Sequence, residues 1–484
     1  MAIIARLAGE GIGPLKSFDF DFSDAAGNPH PGPHVFAGVN GSGKSTVLRT
    51  IAWLTELRSL DGFQWQEWEH LIRGYAGTKA MMVICLPGIE PFVTAQTMDT
   101  NDGWEERLYQ WVITLLATGK VESLKGNCPR RSHKVWPPSE ARASQTSSLY
   151  GRQPLGCLII GGQEKSEWKQ RLLIAGYGPS RLLKHLPEVN LSVRLKEFRE
   201  KSLSFEATVQ NKAVQSWLLG LFSKKAIARE RGNGTSKYSE TLERFEDALT
   251  RMCGQDVRFD VDIEPSLQPM LMMYHNRLDF SQLPDGVRST VGWFADFLMR
   301  MDAHDWEPKD ERACVLLLDE IDAHLHPKWQ RSILPTIKQV LPEVQVFATS
   351  HSPFVIASCQ GARVHVLEIS EDGSAHNRPP EDAPIGESIL ATMKDIFGVD
   401  SRFDLVTERQ LEEWNQLRRN QEAGRLSPQE KEQLAGLTLA LSSRSEELRQ
   451  IVSPVVSISD SVIASLQSQS GSAHERPEKV KARK

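Results

Sequence analysis

In the stretch SFDFDF, Phe18, Phe20 and Phe22 alternate with polar residues, the period of a strand with one face buried. AIIARL before it and HVFAGVN after it read as two more strands, and helical patterning runs from Ser45 to about Leu60. AMMVICL and FVTAQTM return to strand character. From about 120 to 156 the chain is rich in Pro, Ser, Arg and Gly without an apolar period, which predicts a long surface loop or insertion. RLLIAGYGPSR restores a buried strand ending in a glycine turn, and 187–252 is helical in pattern with a break at ERGNGTSK, short for a coiled-coil arm.

The second half is patterned more sharply. SQLPDGVRS places Pro284, Asp285 and Gly286 second, third and fourth in a candidate type I turn. STVGWFADFLMRM then sets Val291, Phe294, Phe297, Leu298 and Met301 at helical spacing, one core-facing stripe. CVLLLDEIDAHLHP opens with the unbroken apolar run of a strand buried on both faces, as parallel sheets require. A helix from about Pro327 and the strand VQVFATSH complete a β-α-β unit, so the expected class is α/β. The last hundred residues read as helical and charged, ending in a Ser/Gln-rich and then basic tail.

Composition narrows the function classes. The chain has 484 residues, 40% hydrophobic and 25% charged, with no apolar run near the ~20 residues that span a bilayer. The start, MAIIARLAGEGIG, lacks the basic and apolar regions of a secretory signal, so a cytoplasmic protein without membrane contact is expected. Cys85, Cys128, Cys157, Cys253, Cys314 and Cys359 form no CxxC pair, which argues for reduced, mostly buried thiols. A net charge of −5 gives no general attraction for nucleic acid. The basic stretches CPRRSHKVW and RPEKVKARK read as a solvated loop and a solvated tail.

The chemistry concentrates in two motifs. GVNGSGKS, residues 38–45, matches the phosphate-binding loop G-x-x-x-x-G-K-[ST] between a predicted strand and helix. Its glycines let backbone N–H groups wrap phosphates, Lys44 meets the β and γ phosphates of ATP, and Ser45 holds Mg2+. The expected nucleotide contacts are Gly38, Asn40, Gly41, Ser42, Gly43, Lys44, Ser45 and Thr46. In VLLLDE, Asp319 and Glu320 sit at the carboxyl end of a buried strand, where open α/β sheets bind ligands. Asp319 is expected in the magnesium shell and Glu320 on the attacking water, with His351 of ATSHSP as a γ-phosphate sensor. His324 and His326 suggest a metal by their spacing, but no third ligand with zinc spacing is near.

This set resembles the ABC-type ATPase heads of the SMC-like and OLD-like groups: Walker A at 38–45, Walker B ending in Asp319 and Glu320, a D-loop at 321–326 and a switch histidine at His351. LPDGVRS then looks like their signature: Leu283 and Gly286 match, Asp285, Arg288 and Ser289 are at home in the SMC-like variant, and Pro284 stands in the place of a serine. YGPSR at 177–181 and SILATMKDIFGVDSR are similar to stretches of the Septu and retron-associated anti-phage ATPases. The resemblance implies an ABC/SMC-like P-loop head with a mixed-sheet core, a short helical insertion and a helical C-terminal region. Its expected divisions are a first lobe at 1–186, including the insertion near 120–156, a helical insertion at 187–260, a second lobe at 261–400, helices at 401–470 and a disordered tail at 471–484. It further implies two ATPs sandwiched in a homodimer or higher oligomer, with Gly286 and Ser289 reaching the partner's nucleotide. Control of a separately encoded HNH-type nuclease is implied too, with nucleic acid met through that complex. The alternatives are a hydrolysis-poor ATP sensor or scaffold and an SMC-like DNA-repair ATPase.

Overall fold

The structure is a computed structural model. It describes residues 3–24, 28–55, 78–86, 92–97, 133–136, 156–160, 171–184, 209–232, 237–264, 266–304 and 312–452, with a few further positions near 107–114, 186, 202–205 and 306. Two compact units are present, Met1–Gly398 and Val399–Lys484.

In the first unit the chain begins with β1 (Ile4–Ile12), β2 (Leu15–Asp21) and β3 (His34–Gly38), then enters α1 (Lys44–Thr55). β4 (Lys79–Ile84), β5 (Phe92–Thr97), β6 (His133–Trp136), β7 (Gly156–Ile160) and β8 (Leu172–Tyr177) follow. Helices α2 (Asn211–Glu230) and α3 (Lys237–Cys253) precede a small antiparallel sheet of β9 (Val257–Asp262), β10 (Gln268–Met273) and β11 (Asn276–Asp279). Then come α4 (Asp285–Ala303), β12 (Ala313–Leu318), α5 (Pro327–Val340), β13 (Val344–Thr349) and α6 (Pro353–Ile356). β14 (Arg363–Ile369), β15 (Ala375–Asn377), β16 (Glu381–Asp382) and α7 (Ile389–Phe397) complete the unit. The second unit holds α8 (Leu405–Glu422), α9 (Pro428–Ser442) and α10 (Glu446–Val452) around Leu411, Trp414, Leu434 and Leu441, and Ser427 and Glu430 form a capping box on α9.

One sheet organises the first unit, in the order β6-β7-β5-β4-β1-β2-β15-β14-β3-β13-β12-β8. The wing from β6 to β2 is antiparallel, whereas β14, β3, β13, β12 and β8 run parallel. Every residue of β12 and β13 is buried, as their apolar runs predicted. Alternation still governs them: Val315 and Leu317 join the core beneath α1, while Cys314, Leu316 and Leu318 join the core on the face of α4. The Phe18, Phe20 and Phe22 stripe packs into the first of these cores, with Phe20 and Phe22 edge-on to Phe36 and Phe347 at 5.3 and 4.9 Å.

Several sequence expectations need correction. The Pro284-Asp285-Gly286 segment is not a β-turn but the entry to α4. Pro284 is its N-cap, whose carbonyl accepts from Arg288 N at 2.9 Å, and the turn lies upstream, where Gln282 N donates to Asp279 O. A proline at this position gives up an N–H that a helix start leaves unpaired anyway. α4 itself is buried on all sides rather than along one stripe, because Phe294 stacks on Phe245 of α3 while Trp293 meets Tyr177 of β8. The irregular stretch 120–156 contains β6, which pairs with β7 through backbone bonds that need no apolar period. The helix expected to about Leu60 is described to Thr55, and the remainder of that segment, the basic Arg130 and Arg131, and the 471–484 tail lie outside the described residues. Cys253, Cys314 and Cys359 are buried and Cys85 is half-buried, all as free thiols.

Two buried polar groups generate predictions. Gln345 of β13 accepts from the amides of Ile3 and Ile4 at 3.0 and 2.8 Å and donates to the Ile4 carbonyl at 3.0 Å, which fastens the start of β1. Gln345→Ala leaves those groups unpaired in the core and is expected to cost about 2–5 kcal/mol, read as a lower denaturant midpoint. His34 and His365 share a 3.2 Å hydrogen bond inside the aromatic core. Burial, with Arg363 and His30 adding to it, pushes His365 down to about 3, and burial also holds His34 well below the usual histidine range. The unfolded chain therefore binds more protons below about pH 6.5, so stability falls on acidification through that window. His365 alone is expected to cost about 2 kcal/mol between pH 7 and pH 5. Denaturant titrations at the two pH values should show a smaller loss in His365→Phe.

Candidate nucleotide site

Four neighbouring parallel strands, β3, β13, β12 and β8, deliver their carboxyl ends to one place, and each carries a functional loop there. β3 leads into the phosphate-binding loop and α1. Gly38, Gly41 and Gly43 have φ of +138°, +81° and +94°, conformations that L side chains rarely adopt. At Gly38 a Cβ would also stand 2.2 Å from the Leu367 carbonyl of β14, so the loop can turn there only with glycine. Val39, Asn40 and Gly41 are exposed at the crest, Ser42, Gly43 and Lys44 are buried, and Ser45 and Thr46 are half-buried at the start of α1. The first turn of α1 has no acidic residue, leaving its positive end open to an anion. Lys44 Nζ donates to the Gly38 and Val39 carbonyls at 3.0 and 2.8 Å. Burial pushes its ammonium down to about 8, against the opposing pull of Asp319, Glu320 and Asp322.

β12 ends in Asp319 and Glu320. Asp319 is buried and its Oδ1 accepts from Ser45 Oγ at 2.8 Å and from Thr349 Oγ1 at 2.6 Å. Glu320 is exposed, with φ of +47°. Its amide donates to Thr349 Oγ1 at 2.7 Å, so the last residue of β13 holds both acidic positions. His351, two residues on, is half-buried. Its imidazole lies below the usual range through burial and the nearby Lys44, against the pull of Asp322, Glu320 and Asp319. Its amide and Ser350 Oγ both donate to Asp322 Oδ1, joining the switch segment to the D-loop. Gln330 of α5 closes the connection, donating to Leu325 O at 2.9 Å and accepting from Ser352 Oγ at 2.7 Å. His326 caps α5, its Nδ1 accepting from Lys328 N, and among the described residues no group of three or more His, Cys, Asp or Glu side chains could hold a metal ion, so His324 and His326 form no metal site of that kind.

The signature stretch is placed differently from the other motifs. Pro284 and Asp285 are exposed at the start of α4, whereas Gly286 and Ser289 are buried. A Cβ on Gly286 would sit 2.4 Å from the His324 carbonyl, so this glycine already has a demand on it within its own chain: it lets α4 rest on the D-loop. Asp285 holds Arg288 at 2.6 Å. Thr349 and Gln330 are site residues that sequence reasoning missed, and Asp322 lay within the expected D-loop at 321–326 without a role of its own. A place inside ATSHSP was the only visible signal for Thr349, and its role depends on which strand lies beside β13.

The residues suit a magnesium nucleotide. Ser42 Oγ is buried in the loop without a hydrogen-bond partner, nothing lies within 4 Å of a Cβ position on Gly41, and Ser45 with Asp319 offers the hard oxygen donors that Mg2+ prefers.

Fold and site together are those of a P-loop nucleotide-binding unit, with the phosphate-binding loop after β3 facing the acidic pair at the end of β12. Residues 272–357 match the family described as "AAA domain, putative AbiEii toxin, Type IV TA system". The chain is similar to the Septu protein PtuA of Bacillus mycoides (strain KBAB4), 28% identical over 209 residues, covering 43% of this chain and 26% of that protein. It is 33% identical to the Septu protein PtuA of Bacillus thuringiensis over 89 residues, 18% of this chain and 22% of that one. It is 27% identical to the "Retron Ec83 probable ATPase" of Escherichia coli over 149 residues, 30% and 27% of the two chains. The aligned part thus spans about a quarter of each of these relatives. Among solved structures, the SMC head domain from Thermotoga maritima aligns with 79% of this chain and 100% of that one, at 13% identity and a TM-score of 0.38. The Smc head of Pyrococcus furiosus bound to the C-terminal domain of ScpA aligns with 79% and 97%, at 12% identity and 0.43.

Lys44→Ala is expected to abolish ATP binding, since it removes the only cation the loop holds among its carbonyls. Thr349→Val should spare binding to within about threefold while slowing phosphate release about ten- to a hundredfold, the worth of one hydrogen bond to a charged group. Calorimetric titration with Mg-ATP and a phosphate-release assay on both variants check the pair.

Proposed function

We propose that the chain binds Mg-ATP on residues 38–46, hydrolyses it, and through its nucleotide state governs a separately encoded nuclease in anti-phage defence. The hydrogen bond between Ser45 Oγ and Asp319 Oδ1, 2.8 Å across 274 residues of sequence, carries the proposal, because it pairs the two ligands that would share a magnesium ion. Bound magnesium would neutralise charge on the transferring phosphoryl group. Lys44 and the backbone amides of the loop would hold the β and γ phosphates. Glu320, the exposed carboxylate beside that pair, would orient the attacking water and take its proton, and His351 would face the γ-phosphate from the next strand. The similarity to a Septu protein and to a retron ATPase supports the defence role, the partner nuclease is what the family resemblance of the motifs implies, and no described helix is long and apolar enough to cross a membrane.

Head-to-tail pairing about two ATPs belongs to the same proposal, with the start of α4 as the surface that closes on the partner's nucleotide. Pro284 and Asp285 form that surface, and Gly286 and Ser289 support it from within. Substituting Gly286 would disturb the D-loop of the same chain, so the exposed Pro284 is the position to vary.

Glu320→Gln is expected to keep Mg-ATP affinity, lower phosphate release at least about a hundredfold and shift subunit mass toward a dimer with ATP. Pro284→Ser, which adds a hydroxyl at the helix entry, is expected to tighten that dimer about tenfold. Light scattering across a concentration series, with and without Mg-ATP, measures both. Parent-like turnover in Glu320→Gln removes the catalytic assignment, and a mass independent of ATP in all variants removes the sandwich. Co-expression with the product of the neighbouring gene, followed by affinity purification, tests the nuclease: a copurifying nuclease whose cutting changes with ATP supports the proposal, and its absence refutes that part.

A further inference from the structure

The loop after β8 carries a cation that none of the nucleotide contacts above require. Arg181 is 3% exposed, and its guanidinium binds three main-chain carbonyls: Nη1 donates to Gly178 O at 3.0 Å and Asp319 O at 2.5 Å, and Nη2 donates to Glu320 O at 2.8 Å. Glu320 is thus held from both sides, its amide by Thr349 and its carbonyl by Arg181, in a left-handed conformation that a side chain adopts only where its surroundings impose it. A planar fork of donors can span carbonyls from two strand ends, which a single ammonium cannot.

The end of β8 and the loop that follows it are fastened to α4 at three heights. Leu183 N donates to Arg288 O at 3.4 Å, Gly292 admits the Arg181 carbonyl to 2.7 Å from where a Cβ would stand, and Tyr177 Oη donates to Asp296 Oδ2 at 2.7 Å. Arg288, Gly292 and Asp296 are four apart, so they form one line along the helix, and the loop runs antiparallel to it. Asp296, fully buried, also accepts from Arg300 Nε at 2.6 Å and from Gln210 N at 3.0 Å, next to the start of α2. A chain of direct contacts therefore leads from the helix that begins with the signature stretch, through Arg181, to the main chain of the Walker B acids.

We propose that Arg181 is a positioning residue: it sets the conformation of Glu320 and links it to α4, so that the acid acting on water is placed by the helix that meets the second nucleotide. This rests on Glu320 having the role given under Proposed function. Arg181 itself touches no reacting atom. Burial lowers its guanidinium to about 10 against the pull of Asp319, Asp322 and Glu320, which leaves it charged at neutral pH.

The test uses the full chain with Arg181→Lys, and Arg181→Gln should the first fail to fold, beside the parent. Three quantities are measured: Mg-ATP affinity, kcat and KM for phosphate release, and amide hydrogen exchange by peptide. The expected result is a kcat about 30- to 100-fold lower with KM and affinity within about threefold, and faster exchange confined to 319–326. Parent-like kcat and exchange would overturn the proposal. So would a joint loss of affinity and kcat with faster exchange throughout β12, β13 and β14, which would mean a general structural role. If the parent releases no phosphate, the ATPase reading fails by itself. Exchange then decides for Arg181: a rise limited to 319–326 upholds its hold on Glu320, and an unchanged or global pattern rejects it.

Discussion

A carboxylate taken out of water has to be hydrogen-bonded, and the site is built around that requirement at Asp319. One oxygen of this buried group receives the Ser45 and Thr349 hydroxyls, from α1 and β13, and so draws together the phosphate-binding loop and the two central strands. The carbonyl of the same residue is gripped by Arg181 from the loop after β8. Three segments that are far apart in sequence are thereby fixed about one acid, which is also the residue expected to bind magnesium. Under the proposed function stability and chemistry meet at this residue, since the carboxylate that these hydroxyls hold would also be a magnesium ligand.

Around this point the loops of the site are in mutual contact. The switch segment, the D-loop and α5 share the Asp322, Ser350, Ser352 and Gln330 hydrogen bonds. The D-loop in turn supports α4, since only a glycine at 286 allows the helix to approach the His324 carbonyl. A displacement at the start of α4 therefore has two routes to the acids, one through the D-loop and one through the loop holding Arg181. Burial of α4 on every side favours motion of the helix as a rigid body, because dense packing transmits strain instead of absorbing it.

The signature stretch shows how one short sequence can satisfy two constraints. Pro284 suits the entry to a helix, and Gly286 suits a close backbone approach, so both have sufficient reasons within one chain. What remains for a partner is the exposed rim, Pro284 and Asp285. That rim lacks the serine usual in the family it resembles and carries an acidic group, so in the proposed sandwich closure over an anion would lean on the helix N-terminus rather than on the side chains.

Local chemistry was enough to determine the phosphate-binding loop, the Asp319 and Glu320 pair, and the strands beneath them. A G-x-x-x-x-G-K-S spacing and an unbroken apolar run ending in two acids each act over a few residues, and their physical causes, positive φ at glycine and burial on two faces, are equally local. The alternation of Phe18, Phe20 and Phe22 was legible for the same reason. Arg181, Thr349, Gln330 and Asp296 were not legible in those terms, because each is an ordinary polar residue until its neighbour is known. Thr349 matters because β13 lies beside β12, Arg181 because β8 lies on the other side of β12, and Gln345 because β1 begins over it. The all-round burial of α4 and its start at Asp285 likewise came from packing that no period of three or four residues records. Motifs announce where a ligand's charge will be met; strand order and side-chain satisfaction, which are properties of the assembled sheet, decide which residues hold those motifs in place.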